Sequence, residues 1–175
     1  AYDFVFGDWG SDVCSSDLMV LFRLYTHFKW IAKQSLFRIP FIGWSMWLNG
    51  YIALERGKTA SMKIMMKQAS TLLRERNSIM IFPEGTLSRD GKIQPFKSGA
   101  FHLALDNQVP ILPVAISGTS MAIRKGGFLI NRNHNIRVTV LKPIPYSQIR
   151  DLHPGAVGDL VRSEIINAFE RHSGS

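Results

Sequence analysis

Short apolar runs alternate with amphipathic stretches along most of the chain. Ala60, Met62, Met65, Ala69, Leu72 and Leu73 recur at spacings of three and four, with Lys63, Lys67, Arg74 and Arg76 on other faces. That period predicts an amphipathic helix laid on a sheet. Its methionines read as core filling, since thioethers adapt to irregular gaps. Ser78 to Phe82 then reads as a buried strand. After the polar loop PEGTLSRDGK, Ser98 to Asp106 predicts a short helix that Pro110 closes, and Ile111 to Ser117 a second buried strand. Gly126 and Gly127 mark a turn. Ile136, Val138 and Val140 alternate with Arg137, Thr139 and Leu141 until Pro143 and Pro145 end that strand. Val157, Leu160, Val161, Ile165 and Phe169 line one side of a last helix. Strands alternating with helices predict an α/β fold, a central and mostly parallel sheet flanked by helices on both faces.

Two segments depart from this pattern. Residues 1 to 18, AYDFVFGDWGSDVCSSDL, hold four Asp, no basic residue and no sustained period. The run SDVCSSDL resembles translated sequencing adapter, so residues 1 to 18 read as a foreign or misread amino terminus and residues 19 to 175 as a single domain. From Met19 to Leu54 the chain is rich in Leu, Phe, Ile and Trp, punctuated by Arg23, Lys29, Lys33 and Arg38. Aromatic and basic residues mixed in this way suit a bilayer interface, although the same aromatics would also fill a core. The longest uncharged stretch, Ile39 to Leu54, is shorter than the roughly 20 residues a spanning helix needs, and Pro40, Gly43 and Gly50 interrupt it. It is expected to be interfacial or buried.

Charge narrows the partners. Lys plus Arg outnumber Asp plus Glu by 21 to 13, a formal charge of +8, so the surface field favours phosphorylated small molecules, anionic headgroups or nucleic acid. The basic residues are scattered and form no nucleic-acid motif, so nucleic acid is not an expected partner. A single cysteine, Cys14, excludes an internal disulfide framework and fits a reducing compartment or a cytoplasm-facing membrane surface. The first residues lack the basic start and apolar run of a signal peptide.

The chemistry concentrates at Ile79 to Thr86, where a strand delivers a Pro-Glu-Gly-Thr corner at its carboxyl end, the place where α/β sheets bind ligands. Gly85 lets successive backbone N–H groups converge on an anion, and Thr86 adds a hydroxyl donor. Glu84 either accepts from a substrate hydroxyl or holds a nearby Arg. Arg89, Lys92 and Lys97 follow, and upstream GYIALERG ends another candidate strand near Arg56, so charge-assisted donors for an anion are at hand. His102 and Asp106, four apart on a predicted helix, read as an ordinary surface pair.

These segments carry a resemblance. FPEGT at Phe82 to Thr86, followed by FKSGAF, resembles the third signature block of the 1-acyl-sn-glycerol-3-phosphate acyltransferase family; GYIALERG resembles its second, VPILPVAISGT its fourth, and FKWIAKQSLFRIPFIGW the stretch between the first two. The resemblance implies acyl transfer from acyl-CoA or acyl carrier protein to lysophosphatidate, giving phosphatidate. It implies no metal and no bound cofactor. Lys33, Arg56, Glu84, Gly85 and Thr86 match positions that hold the acceptor's phosphate and glycerol. An anionic membrane surface would be a partner, at the cytoplasmic face of the inner membrane.

Two departures qualify the match. Leu87 stands where the family often has Arg. The first block, Asn-His-x-x-x-x-Asp, is missing, since none of His27, His102, His134, His153 or His172 has an Asp five positions on. Counting back from FKWIAK places Asp17 at the orienting carboxylate and Asp12 at the base position. A carboxylate with pKa near ~3.9 is a weak base toward an alcohol, so the chain as written is expected to be nearly inert, an enzyme by family only. The alternative is an inactive homologue that binds lipid phosphate. The missing start would also have held the family's amino-terminal membrane helix.

Overall fold

The computed structural model describes residues 4–7, 28–55, 57–84, 93–117 and 137–173. Its strands are β1 (Phe4–Gly7), β2 (Phe28–Lys33), β3 (Ile52–Leu54), β4 (Ser78–Ile81), β5 (Ile111–Ser117) and β6 (Arg137–Val140). A 3-10 helix, Gln34–Arg38, follows β2. The α-helices are α1 (Ile42–Leu48), α2 (Thr59–Arg74), α3 (Gly99–Asp106), α4 (Tyr146–Ile149) and α5 (Pro154–Ser173). One six-stranded sheet runs in the order β3-β2-β4-β1-β5-β6. Every pairing is parallel except β6 on β5, as the alternation of strands and helices predicts.

Successive side chains of a strand point to opposite faces. Ile31, Ile79, Ile81, Ile111 and Ala115 therefore join one buried cluster, and Trp30, Met80, Val114 and Ile116 the other. Helices α2, α3 and α5 cover the first face through Met65, Ala69, Leu73, Phe101, Leu103, Val157, Val161 and Ile165. Each of these side chains larger than alanine contributes about 1.5–3 kcal/mol when fully withdrawn from water. Gly158 lets α5 lie against α3, because a Cβ there would stand 2.9 Å from the Phe101 ring. On the second face, Trp30 meets Phe28 edge-on at 5.1 Å and stacks on Phe82 at 6.0 Å. No described helix residue enters that second cluster, so the expected cover on both faces is observed, among the described residues, on one.

The elements differ from expectation in three places. Helix α2 buries Met65, Ala69 and Leu73, but Ala60 and Met62 are exposed. Sixteen helical residues span about 24 Å, whereas a four-residue strand covers about 13 Å, so the first turn overhangs the sheet. Strand β1 arises from the aperiodic first 18 residues and lies between β4 and β5. The aromatic and basic stretch divides. Phe28, Trp30, Ile31 and Ala32 are buried in β2, while Ile39, Phe41, Trp44, Trp47 and Leu48 are exposed. No described helix is long and apolar enough to cross a membrane.

Candidate functional site

Strands β3, β2 and β4 are parallel neighbours, so their carboxyl ends share one edge of the sheet. Lys33 closes β2 and pairs with Leu54, the last residue of β3. Arg56 follows two positions later and lies outside the described residues. Strand β4 ends at Ile81, and Phe82, Pro83 and Glu84 continue from it onto the same edge. The topology thus brings the backbone of Lys33, the strand that leads to Arg56, and Glu84 to the edge where parallel sheets bind ligands. Gly85, Thr86, Asp12, Asp17, Arg89 and Lys92 lie outside the described residues.

Glu84 is 5% exposed. Burying a carboxylate is costly unless donors meet it, and the backbone N–H of Gln94 donates to its Oε1 at 3.0 Å. Close by, the N–H of Lys97 donates to the Pro83 carbonyl at 3.0 Å. These two bonds join the outgoing arm, 82–84, to the returning arm, 93–97. Ring packing steadies both arms: Phe82 stacks on Trp30, and Phe96 stacks on Phe101 at 6.2 Å.

A residue that sequence reasoning missed holds the returning arm. Arg162, on α5, donates from Nη2 to the Ile93 carbonyl at 2.7 Å, and from Nε to the carbonyls of Ile93 and Gln94 at 3.2 and 3.3 Å. Its guanidinium therefore holds the carbonyl side of the Ile93–Gln94 peptide, whose N–H side donates to Glu84. No local signal could have identified it, because Arg162 looks like any polar position on an amphipathic helix and its partners lie 68 and 69 residues away.

The histidines also find their places. His102 and Asp106 are both exposed on α3, and no hydrogen bond or ion pair joins them among the described residues. His153 immediately precedes α5: its carbonyl accepts from Val157 and its Nδ1 accepts from Gly155 N–H at 3.2 Å, which satisfies an otherwise free helix-end donor. At Tyr51, burial pushes the phenol above its ordinary range, opposed by a side-chain hydrogen bond with Trp30.

The chain is similar to known proteins in sequence and in fold. A model of the family described as Acyltransferase matches residues 12–117. The chloroplastic 1-acyl-sn-glycerol-3-phosphate acyltransferase BAT2 of Brassica napus is 37% identical over 136 residues, 78% of this chain and 39% of that protein. The 1-acyl-sn-glycerol-3-phosphate acyltransferase of Saccharomyces cerevisiae is 34% identical over 142 residues, 79% of this chain and 46% of that protein. The chain thus spans less than half the length of both relatives. The fold is also that of the crystal structure of the 1-acyl-sn-glycerophosphate (LPA) acyltransferase PlsC from Thermotoga maritima, with a TM-score of 0.81 at 23% identity, covering 99% of this chain and 68% of that one. With its signature segments in order and the family model spanning the sheet from before β2 through β5, the chain belongs to the acyltransferase family, alongside proteins named 1-acyl-sn-glycerol-3-phosphate acyltransferases.

Proposed function

We propose that the chain is the acyl-transferring portion of a 1-acylglycerol-3-phosphate acyltransferase, moving an acyl group from acyl-CoA or acyl carrier protein to lysophosphatidate and forming phosphatidate. The observation that carries this reading is the buried Glu84 carboxylate at the carboxyl edge of the sheet, in a chain of this family. In the reaction the acceptor hydroxyl oxygen bonds to the thioester carbonyl carbon, the C–S bond breaks, and the hydroxyl proton passes by way of a base to the departing thiolate. Lys33, Arg56, Gly85 and Thr86 bind the acceptor phosphate and glycerol, with Glu84 accepting from an acceptor hydroxyl or fixing Arg56. Asp17 is the orienting carboxylate. No metal and no bound cofactor takes part. The protein works at an anionic membrane surface, on the cytoplasmic face of the inner membrane.

A second reading, a lipid-phosphate binder without turnover, is favoured by one observation: Asp12 stands where the general base belongs. An imidazole titrating near ~6.5 is a far better base at neutral pH than a carboxylate near ~3.9. Thiol release from acyl-CoA with lysophosphatidate, measured on the chain and on Asp12→His, separates the two. Turnover that appears or rises with Asp12→His supports the enzyme. Phosphatidate binding with no turnover in either form supports the binder. In the active form, Arg56→Ala and Glu84→Ala should each lower kcat/KM by about 10- to 100-fold, the range for losing a charge-assisted contact. Unchanged activity in both would refute the site assignment.

A further inference from the structure

Helix α1 presents its apolar stripe outward. Trp44, Trp47 and Leu48 share one face of the helix and are 64%, 76% and 76% exposed, and Phe41, which immediately precedes the helix, is 78% exposed. The residues turned inward are Gly43 and Met46. Gly43 is needed for that orientation, since a Cβ there would collide with the Phe37 carbonyl oxygen. Phe41 adds a second sign of an imposed arrangement. Its φ is 65°, a left-handed backbone that an aromatic residue rarely adopts, and its ring lies 5.5 Å from that of Trp44 in a T-shaped pair. The chain accepts backbone strain here while leaving the ring in water.

Charge indicates what covers the stripe. From Leu18 to Leu54 there is no Asp or Glu, and Arg38, exposed, immediately precedes the apolar residues. At the far end, Lys29 Nζ donates to the Asn49 carbonyl at 2.7 Å and brings a cation to the carboxyl end of α1. Exposed tryptophans flanked by cations and free of acids match the boundary between anionic headgroups and acyl chains. The 3-10 helix leaves β2 at Lys33, on the edge that holds Glu84, and leads directly to Phe41. The stripe therefore begins beside the carboxyl edge of β2 and, through the Lys29–Asn49 bond, ends near its amino end, so docking would lay the β2 side of the sheet along the bilayer.

We infer that Phe41, Trp44, Trp47 and Leu48 form a membrane-docking surface that inserts into the interface of an anionic bilayer. The inference sharpens the membrane partner of the proposed function and rests on that reading for its purpose, but its test needs no turnover. Flotation of the full chain would be measured with vesicles of phosphatidylcholine containing about one third phosphatidylglycerol, and with phosphatidylcholine alone. The expected result is binding to the anionic vesicles that falls at least about tenfold for each side chain removed in Phe41→Ser/Trp44→Ser/Trp47→Ser. Arg38→Glu should weaken binding to anionic vesicles and leave the zwitterionic ones unaffected. Trp44→Phe/Trp47→Phe should still bind but lose the quenching of tryptophan fluorescence by brominated lipid. This conservative pair keeps the test decisive if the serine variant misfolds.

Flotation of a folded serine variant equal to that of the parent would overturn the inference. So would quenching that persists in the phenylalanine pair, or a lipid-free dimer that the serine variant dissolves while the parent ignores vesicles. Thiol release with a soluble short-chain lysophosphatidate keeps the two readings apart. Loss of vesicle binding with soluble-substrate turnover intact supports the surface alone, whereas vesicle binding without any turnover leaves the surface standing and removes the enzyme.

Discussion

Helices α1 and α2 have similar apolar spacing and opposite fates. In α2, Met65, Ala69 and Leu73 turn toward the sheet and disappear from solvent. In α1, Trp44, Trp47 and Leu48, with Phe41 just before them, are exposed, and the glycine of the helix takes the inward position. Spacing decides which side chains share a face, but not which way the face looks. The small residues are the better guide: Ala69, fully buried, and Gly43, against the Phe37 carbonyl, mark the lines of closest approach.

The comparison can be broken or sharpened by substitution. The largest effect is expected in the layer that α2 shares with α3 and α5, where Phe101→Ala should cost about 3–5 kcal/mol in urea unfolding, because its ring is wholly buried and stacked on Phe96. A cost below that of a surface change would mean that the helix layer is not the core. Arg162→Ala should cost about 1.5–3 kcal/mol by removing charged donors from the 93–94 carbonyls. In an active form it should also raise the acceptor KM more than it lowers kcat, a split that destabilisation alone would not give. Gly43→Ala should cost about 1–3 kcal/mol and reduce vesicle binding as well, since the obstructing atom is backbone and cannot rotate away. Smallest of all, Trp47→Ser should change stability by less than about 0.5 kcal/mol while weakening vesicle binding, the reverse of the Phe101 result.

Legibility in the sequence followed the same division. Strands β4 and β5 and helices α3 and α5 fall where the apolar periods and the Pro and Gly stops put them, because those elements are buried on the side their pattern declares. Strand β2 was disguised by Lys29, a cation inside a strand, which the structure explains by its reach to the Asn49 carbonyl. Strand β1 has four residues, too few for a period to show. At the site, the Pro83-Glu84 corner was legible because an apolar run followed at once by Pro and Gly is a local sequence signal. The grip of Gln94 on Glu84, and of Arg162 on Gln94, was not, because it depends on which distant segments the sheet order makes neighbours.

That sheet order also shapes how the molecule is made. Strand β1 is hydrogen-bonded on both sides, to β4 and to β5, and both partners are synthesised long after it. Until they arrive, β1 has no native pairing, and until β1 inserts, β4 and β5 each present a bare strand edge. Closing such long loops is slow, and bare edges invite pairing between chains. Yield of soluble protein should therefore be governed by conditions during synthesis, such as temperature and chaperone supply, more than by the final stability of the folded chain.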